Sequence, residues 1–192
     1  MSSVVLTGDT SGSVTVTVPA VAGSNTATIG AATGTHYPFT AGTAVASTSG
    51  TSIDFTSIPS WVKRITVMFN GVSTNGTSNI QIQIGSGSVD TSGYSSAAVQ
   101  LQGSTAIIGV AVTSGFLATA SNSAVSVYNG NIVFNLLSSN TWIQNGTLYN
   151  TVGVINTSAA SKAISGALDR VRITTVNGTD TFDAGSINIL YE

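Results

Sequence analysis

The strongest alternation of apolar and polar positions falls in Ser60–Ile84. In its first half the large apolar residues share one parity, and in its second half isoleucines alternate with amides: Trp61, Ile65, Val67 and Phe69, then Ile80, Ile82 and Ile84 against Gln81 and Gln83. A period of two places alternate side chains on opposite faces of a sheet. Two Asn-Gly pairs, at Asn70 and Asn75, supply the positive φ angles of tight reversals. The segment therefore predicts a half-buried β-hairpin on which the rest of the chain packs.

Short apolar runs recur from about Thr43 to the last residue, separated by turn signals. The further predicted strands are Ala44–Ala46, Ser52–Phe55, Ala106–Val112, Val125–Tyr128, Ile132–Leu137, Thr141–Ile143, Leu148–Ile155, Leu168–Val176 and Ser186–Tyr191. Asn-Gly pairs at Asn129, Asn145 and Asn177 predict hairpin turns, and Ser158–Ile164 leaves open one turn of helix. Strands at this spacing are typical of a sandwich or barrel. The pattern predicts an all-β fold, an antiparallel β-sandwich of the jelly-roll-like kind.

The first 42 residues are lower in complexity than the remainder and include the strand pattern S-V-T-V-T-V, which Pro19 ends. A ribbon this small cannot bury enough apolar area to fold alone. It must pack on the C-terminal domain, on a neighbouring copy or on another protein, and we favour packing between chains. We therefore expect an N-terminal β arm for attachment and assembly (residues 1–42) and a β-sandwich body domain (residues 43–192). The residues expected to assemble the arm are Val14, Val16, Val18 and Ile29.

Composition supports a protein made of strands. Only 6% of the residues are charged, whereas 56 are serine or threonine, so hydroxyl groups replace charges on the polar faces. Threonine packs well on a pleated surface, and the long charged side chains that favour helix surfaces are scarce. The chain contains no cysteine, so neither disulfides nor thiolate metal sites hold the fold.

The charge balance excludes several classes of partner. The net charge is −2, and the five basic residues form no patch. Binding to nucleic acid or to an anionic membrane is therefore not expected, because both need clustered lysine or arginine. Weak repulsion between near-neutral surfaces favours self-association instead. We see no secretory signal in the first ten residues and no run of 18 apolar residues, so we expect synthesis and assembly in the cytoplasm.

Catalytic and metal-binding chemistry is not indicated. The one histidine, His36, lies in a predicted hinge, and no carboxylate is close to it in sequence. A hydrolase would need two carboxylates at a set separation, and nothing in the sequence brings Asp54 together with Asp169 or Asp180. Asp180 and Asp183 offer too few ligands for calcium and are better explained as turn residues. We expect no catalytic residues, no metal and no cofactor.

Two arginines and several aromatic residues are the candidate contacts for a ligand or partner. Arg170 and Arg172 alternate with apolar residues, so both project from one face of a strand. They are expected to form rim ion pairs with Asp169 and Asp180, or alternatively to clamp an acidic sugar or a partner carboxylate. The aromatic candidates either stack on sugar rings or pack in a core or interface: Trp61, Tyr94, Trp142 and Tyr149.

Three stretches resemble structural proteins of tailed bacteriophage virions. Leu6–Thr35, with S-V-T-V-T-V-P-A-V-A-G and N-T-A-T-I-G, is similar to a Val/Thr/Ala/Gly-rich module of phage fibres, with Gly30 where that module often has proline. Ser49–Ile80, with I-P-S-W-V-K-R-I-T-V-M-F-N-G, and Leu168–Glu192, with L-D-R-V-R-I-T-T-V-N-G, look like the body domain of such proteins. The resemblance implies a homotrimer in the virion, an N-terminal attachment segment that binds other virion proteins and an outward-facing C-terminal β domain. It carries over no catalytic residues.

The expected function is therefore that of a non-enzymatic virion structural protein. It is a tail fibre or spike that contacts the host surface or, alternatively, a capsid decoration or head-fibre protein. An alternative from another class is a carbohydrate-binding module that recognises a host surface glycan through exposed aromatic rings. A hydrolase is the least favoured, because the chain has few ionisable residues from which to build an acid–base pair.

Overall fold

The computed structural model describes residues 3–7 and 13–17 by their backbone, and residues 39–103 and 107–192 with their side chains. The chain forms two compact units, Met1–His36 and Tyr37–Glu192. We refer to them as the N-terminal unit and the C-terminal unit.

The N-terminal unit contains a two-stranded antiparallel sheet of β1 (Ser3–Thr7) and β2 (Ser13–Thr17). Val4 lies opposite Val16 in this sheet. The alternation of valine and threonine therefore forms a strand as predicted. Of the four residues expected to assemble the arm, Val14 and Val16 lie in β2, whereas Val18 and Ile29 lie outside the described residues.

The described part of the C-terminal unit is built from strands and their connections, without helix. In chain order the strands are β3 (Thr40–Ala41), β4 (Val45–Ala46), β5 (Ser52–Thr56), β6 (Arg64–Thr74), β7 (Ile80–Ser86), β8 (Ser88–Val89), β9 (Ser95–Leu101), β10 (Ile108–Val112), β11 (Phe116–Leu117), β12 (Tyr128–Ser138), β13 (Thr141–Asn150), β14 (Val154–Ala163), β15 (Arg170–Thr175) and β16 (Phe182–Tyr191). The all-β fold predicted from the sequence is confirmed.

These strands form two antiparallel sheets that are not closed into a barrel. The nine-stranded sheet has the order β10-β9-β14-β13-β12-β6-β16-β3, with β4 also paired to β16. The five-stranded sheet has the order β11-β7-β15-β5, with β8 paired to β7. The chain crosses between the two sheets in the order of a jelly roll. In the nine-stranded sheet the meander β12-β13-β14 lies between β6 and β9. The predicted antiparallel sandwich is therefore confirmed.

One apolar core joins the inner faces of the two sheets. The five-stranded sheet contributes Ile80, Ile82, Ile84, Val171 and Ile173, and the nine-stranded sheet contributes Ile65, Val67, Phe69, Ile132, Phe134, Ile187 and Ile189. Aromatic rings cross the layer, because the ring of Phe116 on β11 lies 4.9 Å from that of Tyr94 and 5.2 Å from that of Phe134 on β12. Edge-to-face contacts of this kind add to the burial of apolar area.

The hairpin predicted for Ser60–Ile84 is wrong, although both of its strands exist. β6 pairs with β12 and β16 in the nine-stranded sheet, whereas β7 pairs with β15, β11 and β8 in the five-stranded sheet. The connection between them is therefore a corner of the sandwich. Their apolar faces meet across the core instead of lying side by side, which is why both strands show such regular alternation.

Three of the five Asn-Gly pairs lie inside strands, where the sequence predicted turns or reversals: Asn70, Asn129 and Asn145. The pair at Asn70 forms a bulge in β6, since the register to β12 shifts there and Gly71 has a φ of +68°. After the bulge, even-numbered instead of odd-numbered residues of β6 face the core. Phe69 and Val72 are therefore both buried. A positive φ thus serves a bulge as readily as a turn.

The bulge is matched on the neighbouring strand β16 by Gly185, whose φ is +91°. A Cβ atom at Gly185 would lie 2.3 Å from the carbonyl oxygen of Gly71. The N–H of Gly71 in turn donates to Asn129 Oδ1 on β12 at 2.9 Å. The lack of a side chain at Gly185 therefore lets β16 approach β6 closely, and the side chain of Asn129 joins β6 to β12 at the same point.

The strand boundaries between β13 and β14 differ from the prediction. The strand predicted at Leu148–Ile155 is interrupted by a turn, in which Asn150 Oδ1 accepts the N–H groups of Val152 at 3.2 Å and Val154 at 3.1 Å. The possible helical turn at Ser158–Ile164 is instead strand as far as Ala163. Pairing on both sides, with β13 and β9, overrides the weak local preference of this serine- and alanine-rich segment.

Substitution of Gly185 by alanine is expected to lower the free energy of unfolding of the C-terminal unit by about 3 kcal/mol or more, because a clash with backbone adds to the cost of the positive φ. Gly87→Ala is the matched control, since Gly87 has a φ of +73° but no atom within 4 Å of an added Cβ. It should cost only about 1–2 kcal/mol. Urea unfolding followed by circular dichroism measures both, and equal losses would contradict the close approach of β6 and β16.

Candidate functional site

The outer face of the five-stranded sheet carries a polar groove. Strand register places its floor in two rows across β5, β15 and β7: Asp54, Arg172 and Gln83, then Ser52, Thr174 and Gln81. The groove has a volume of about 360 Å³, and its lining is dominated by amide and hydroxyl groups. We refer to this depression as the polar groove.

The two glutamines of β7 form the buried part of this floor. They face away from the core, as predicted, yet Gln81 is only 2% exposed and Gln83 only 6%. The loop before β11 covers them, because Ser114 Oγ donates to Gln81 Oε1 at 2.8 Å and Gln83 Nε2 donates to the carbonyl oxygen of Ser114 at 2.9 Å. Their positions are therefore set by hydrogen bonds within the protein.

Arg172, which lines the polar groove, forms an ion pair with Asp54. Its Nε and one terminal nitrogen donate to the two carboxylate oxygens of Asp54 at 2.7 and 2.9 Å. The hydrogen bond to Asp54 raises the pKa of Arg172. Since the two charges cancel, the pair presents guanidinium donors to a ligand without a net positive field, which does not favour capture of an acidic sugar.

Arg170 forms the second ion pair of β15, with the preceding residue Asp169 at 2.7 and 3.1 Å. The Arg170 guanidinium holds the pKa of the Asp169 carboxyl below its usual range, and the N–H of Gly87 also donates to this carboxylate. The predicted rim pair between Asp169 and Arg170 is confirmed. The prediction of Asp180 as a partner is wrong, because Asp54, opposite Arg172 on β5, takes that place.

Asp180 joins two turns instead. Its carboxylate accepts the N–H of Ser78 at 2.9 Å and Asn177 Nδ2 at 2.6 Å, and so links the β6–β7 connection to the β15–β16 turn. Asp183 is hydrogen-bonded to Ser73. Among the described residues, no group of three or more His, Cys, Asp or Glu side chains lies close enough to hold a metal ion, and His36 lies outside them.

Two of the aromatic candidates are unable to stack on a ligand. Tyr94 and Trp142 belong to the core and are each 2% exposed, so the expectation of ligand contacts for them is corrected. Trp61 is half-buried, and its ring centre lies 5.9 Å from that of Tyr191. Tyr149 is 48% exposed on β13, on a different sheet from the polar groove. The aromatic candidates therefore do not form one binding platform.

The hydroxyl of Tyr94 is hydrogen-bonded to backbone groups of Ile84 and Asp90 and does not face a ligand site. It accepts the N–H of Ile84 at 2.9 Å and lies within hydrogen-bond distance of the carbonyl oxygens of Ile84 and Asp90, at 3.2 and 2.8 Å. Burial raises the pKa of Tyr94, because the phenolate would lose its hydration. Burial also raises the pKa of Tyr128.

A second surface, not foreseen from the sequence, is the outer face of the nine-stranded sheet. Register places three exposed apolar side chains side by side on β13, β14 and β9: Tyr149, Ile155 and Leu101. Next to them small residues leave a shallow depression of about 490 Å³, which is lined mainly by apolar atoms. We call the three large residues the apolar ridge. The small residues of the outer face form the alanine depression: Ala97, Val99, Gly109, Ala111, Thr157 and Ala159.

Neither a protein-family model nor a curated protein nor a solved structure shows significant similarity to this chain. The residues that the structure describes include no helix long and apolar enough to cross a membrane. The features of the chain that bear on function are therefore the two surfaces and the division into units.

Replacement of Tyr94 by phenylalanine should destabilise the C-terminal unit by about 1–3 kcal/mol at neutral pH, since the buried N–H of Ile84 loses its acceptor. The native state of the wild type should lose stability above about pH 10, because the unfolded tyrosine ionises there while the buried one stays protonated. The stability of Tyr94→Phe should fall less steeply at alkaline pH than that of the wild type. Part of the fall should remain, because burial also raises the pKa of Tyr128.

The measurement is urea unfolding at pH 7 and at steps from pH 9 to 11. Val125→Ala, at a position that is 73% exposed and outside the apolar ridge, serves as the control and should follow the wild type throughout. An unchanged alkaline loss in Tyr94→Phe would show that the hydroxyl of Tyr94 is not responsible.

Proposed function

We propose that this chain is a non-enzymatic structural protein of a tailed-bacteriophage particle. It forms a homotrimeric fibre or spike, anchored through its N-terminal unit to other virion proteins, with the β-sandwich projecting outward, in position to contact the host surface. The observation that carries the proposal is the division of the chain into two units, one of which contains the two-stranded sheet of β1 and β2 and the other the sandwich. The resemblance of Leu6–Thr35 to a fibre module supports the assignment to a virion.

The described two-stranded sheet of the N-terminal unit supports an assembly role, because two strands by themselves have little stability. An isolated hairpin is at best marginally stable in water, and a third strand or a packing surface is needed to fix it. A neighbouring copy or a virion protein would supply that surface. The C-terminal unit, by contrast, has its own core between two sheets, so we expect it to fold without a partner.

The ionisable groups of the C-terminal unit support a structural rather than a catalytic role. Asp54 and Asp169 are bound to arginines, and Asp180 is bound to Ser78 and Asn177. A carboxylate that acts as a general acid or base must be free to reach the substrate. These three carboxylates instead hold strands and turns together.

Light scattering of the full chain beside a chain that begins at Tyr37 tests the assembly role. We expect the full chain to have the mass of a trimer, and we expect the shortened chain to keep its β-sheet circular dichroism. A full chain that is monomeric at high concentration would contradict the homotrimer.

The position of the chain on the particle distinguishes the fibre from the capsid-decoration alternative. Antibodies against the C-terminal unit, applied to purified particles in immuno-electron microscopy, should label the tail for a fibre or spike and the capsid for a decoration or head-fibre protein. Absence of the chain from purified particles, established by peptide mass spectrometry, would overturn the virion assignment.

The polar groove favours one second candidate, a carbohydrate-binding function. Hydroxyl and guanidinium groups in a fixed arrangement match the hydroxyl groups of a neutral sugar, and the Asp54–Arg172 pair leaves no net charge there. This site differs from the one predicted from the sequence, since of the residues predicted to contact a ligand it contains only Arg172.

Arg172→Ala should weaken binding to any glycan that a glycan array identifies by about tenfold, the loss expected for one hydrogen-bonded contact. Arg64→Ala is the matched control, because Arg64 forms an exposed ion pair with Glu192 in the nine-stranded sheet and lies outside the groove. Each substitution should change the free energy of unfolding by less than about 1 kcal/mol. An array without signal, or equal affinities of the two variants, would exclude the groove.

A further inference from the structure

The apolar ridge and the alanine depression lie next to each other on one face. Ile155 of the ridge is directly opposite Leu101, and two residues further along the same strands Thr157 of the depression is directly opposite Val99. Tyr149, Ile155 and Leu101 remain 48%, 44% and 43% exposed. One surface therefore presents both large apolar side chains and the space into which such side chains fit.

The rows of this face carry no charged side chain. Across β12, β13, β14 and β9 the three rows are Asn129, Tyr149, Ile155 and Leu101, then Asn131, Thr147, Thr157 and Val99, then Val133, Asn145, Ala159 and Ala97. Natural sheets commonly protect an exposed face or edge with lysine or other charges. Here that protection is missing, so water contacts a continuous area of apolar and amide groups.

We propose that this face is the contact between copies of this chain, in which the apolar ridge of one copy occupies the alanine depression of the next. The proposal rests on the homotrimer of the proposed function and names the surface that forms it. Because the ridge and the depression consist of different residues, each copy offers one element to each neighbour, and a head-to-tail contact of this type forms a closed ring when the rotation between copies closes, as it does in a homotrimer.

The chemistry of the face selects a copy of the same chain as its occupant. A partner must bring large uncharged apolar side chains to fill the depression and small residues to receive the ridge, and this face offers both. A charge-bearing partner would leave its charges desolvated, at a cost of several kcal/mol for each ion. The chain itself is only 6% charged, so two copies meet on this face without that cost.

The size of the face is sufficient for a specific contact. Strands spaced about 4.8 Å apart from β12 to β10, over the seven residues of β9, cover on the order of 500 Å² per copy. In a ring of three copies these faces together bury about 1,500 Å², which is within the range of a specific, stable assembly. The area reaches the end of the sheet at β10, which pairs with β9 alone among the described strands.

The test is the solution mass of the full chain carrying Ile155→Lys, measured by light scattering and by sedimentation across a concentration series. A lysine in the middle of the ridge would have to be buried between copies, so the mass should fall to that of one chain and the dissociation constant should rise by at least about 100-fold. Ala159→Leu, which fills the depression from within, should dissociate the copies in the same way without adding charge.

Val176→Lys is the matched control, because Val176 is an exposed apolar residue at the other sheet, beside the polar groove. It should leave the mass unchanged. All variants are first compared by circular dichroism, and the two different substitutions of the face guard against a loss caused by misfolding.

The outcomes separate this proposal from the proposed function. A wild-type trimer that persists in both Ile155→Lys and Ala159→Leu overturns the interface but leaves the trimeric appendage standing. A wild-type monomer overturns the homotrimer itself and this interface with it. Dissociation by Val176→Lys as well would place the contact elsewhere and also overturn the interface.

Discussion

The apolar layer between the two sheets is the interaction on which the rest of the structure depends. Isoleucines of β7 and β15 meet those of β6, β12 and β16 across it, and the rings of Phe116 and Phe134 bridge the sheets at 5.2 Å. A protein with this little charge has few ion pairs to add, and the four pairs observed in its described part are all at least partly exposed. Burial of apolar area must therefore supply most of the stability.

The inner layer also determines what the outer faces can be. Once alternate residues of a strand are committed to the core, the remaining ones must face outward, whatever their chemistry. On β7 and β15 the outward positions hold glutamine, threonine and arginine, and a polar groove results. On β9, β13 and β14 they hold alanine, valine, leucine, isoleucine and tyrosine beside threonine and asparagine, which makes a largely apolar face without charge. The two candidate surfaces are thus consequences of one sandwich.

The periodicity of single strands was enough to predict the fold class but not the pairing. The parity of Ile80, Ile82 and Ile84 correctly predicted a strand with one face in the core, because that signal is local. Asn70-Gly71 misled the prediction, since a positive φ is required equally by a turn and by a bulge, and only the neighbours Gly185 and Asn129 decide between them. Local sequence contains no record of those neighbours.

The candidate surfaces were harder to predict for the same reason. Leu101, Tyr149 and Ile155 become one ridge only through the register of three strands, two of which, β9 and β14, have serine- and alanine-rich sequences with weak strand signals. The small residues of these strands create the depression because they leave space, so no large side chain marks it in the sequence. A face assembled in this way is invisible to a search for reactive or charged residues. In a chain that replaces charge with hydroxyl and methyl groups, shape and the lack of charge are what remain to direct recognition.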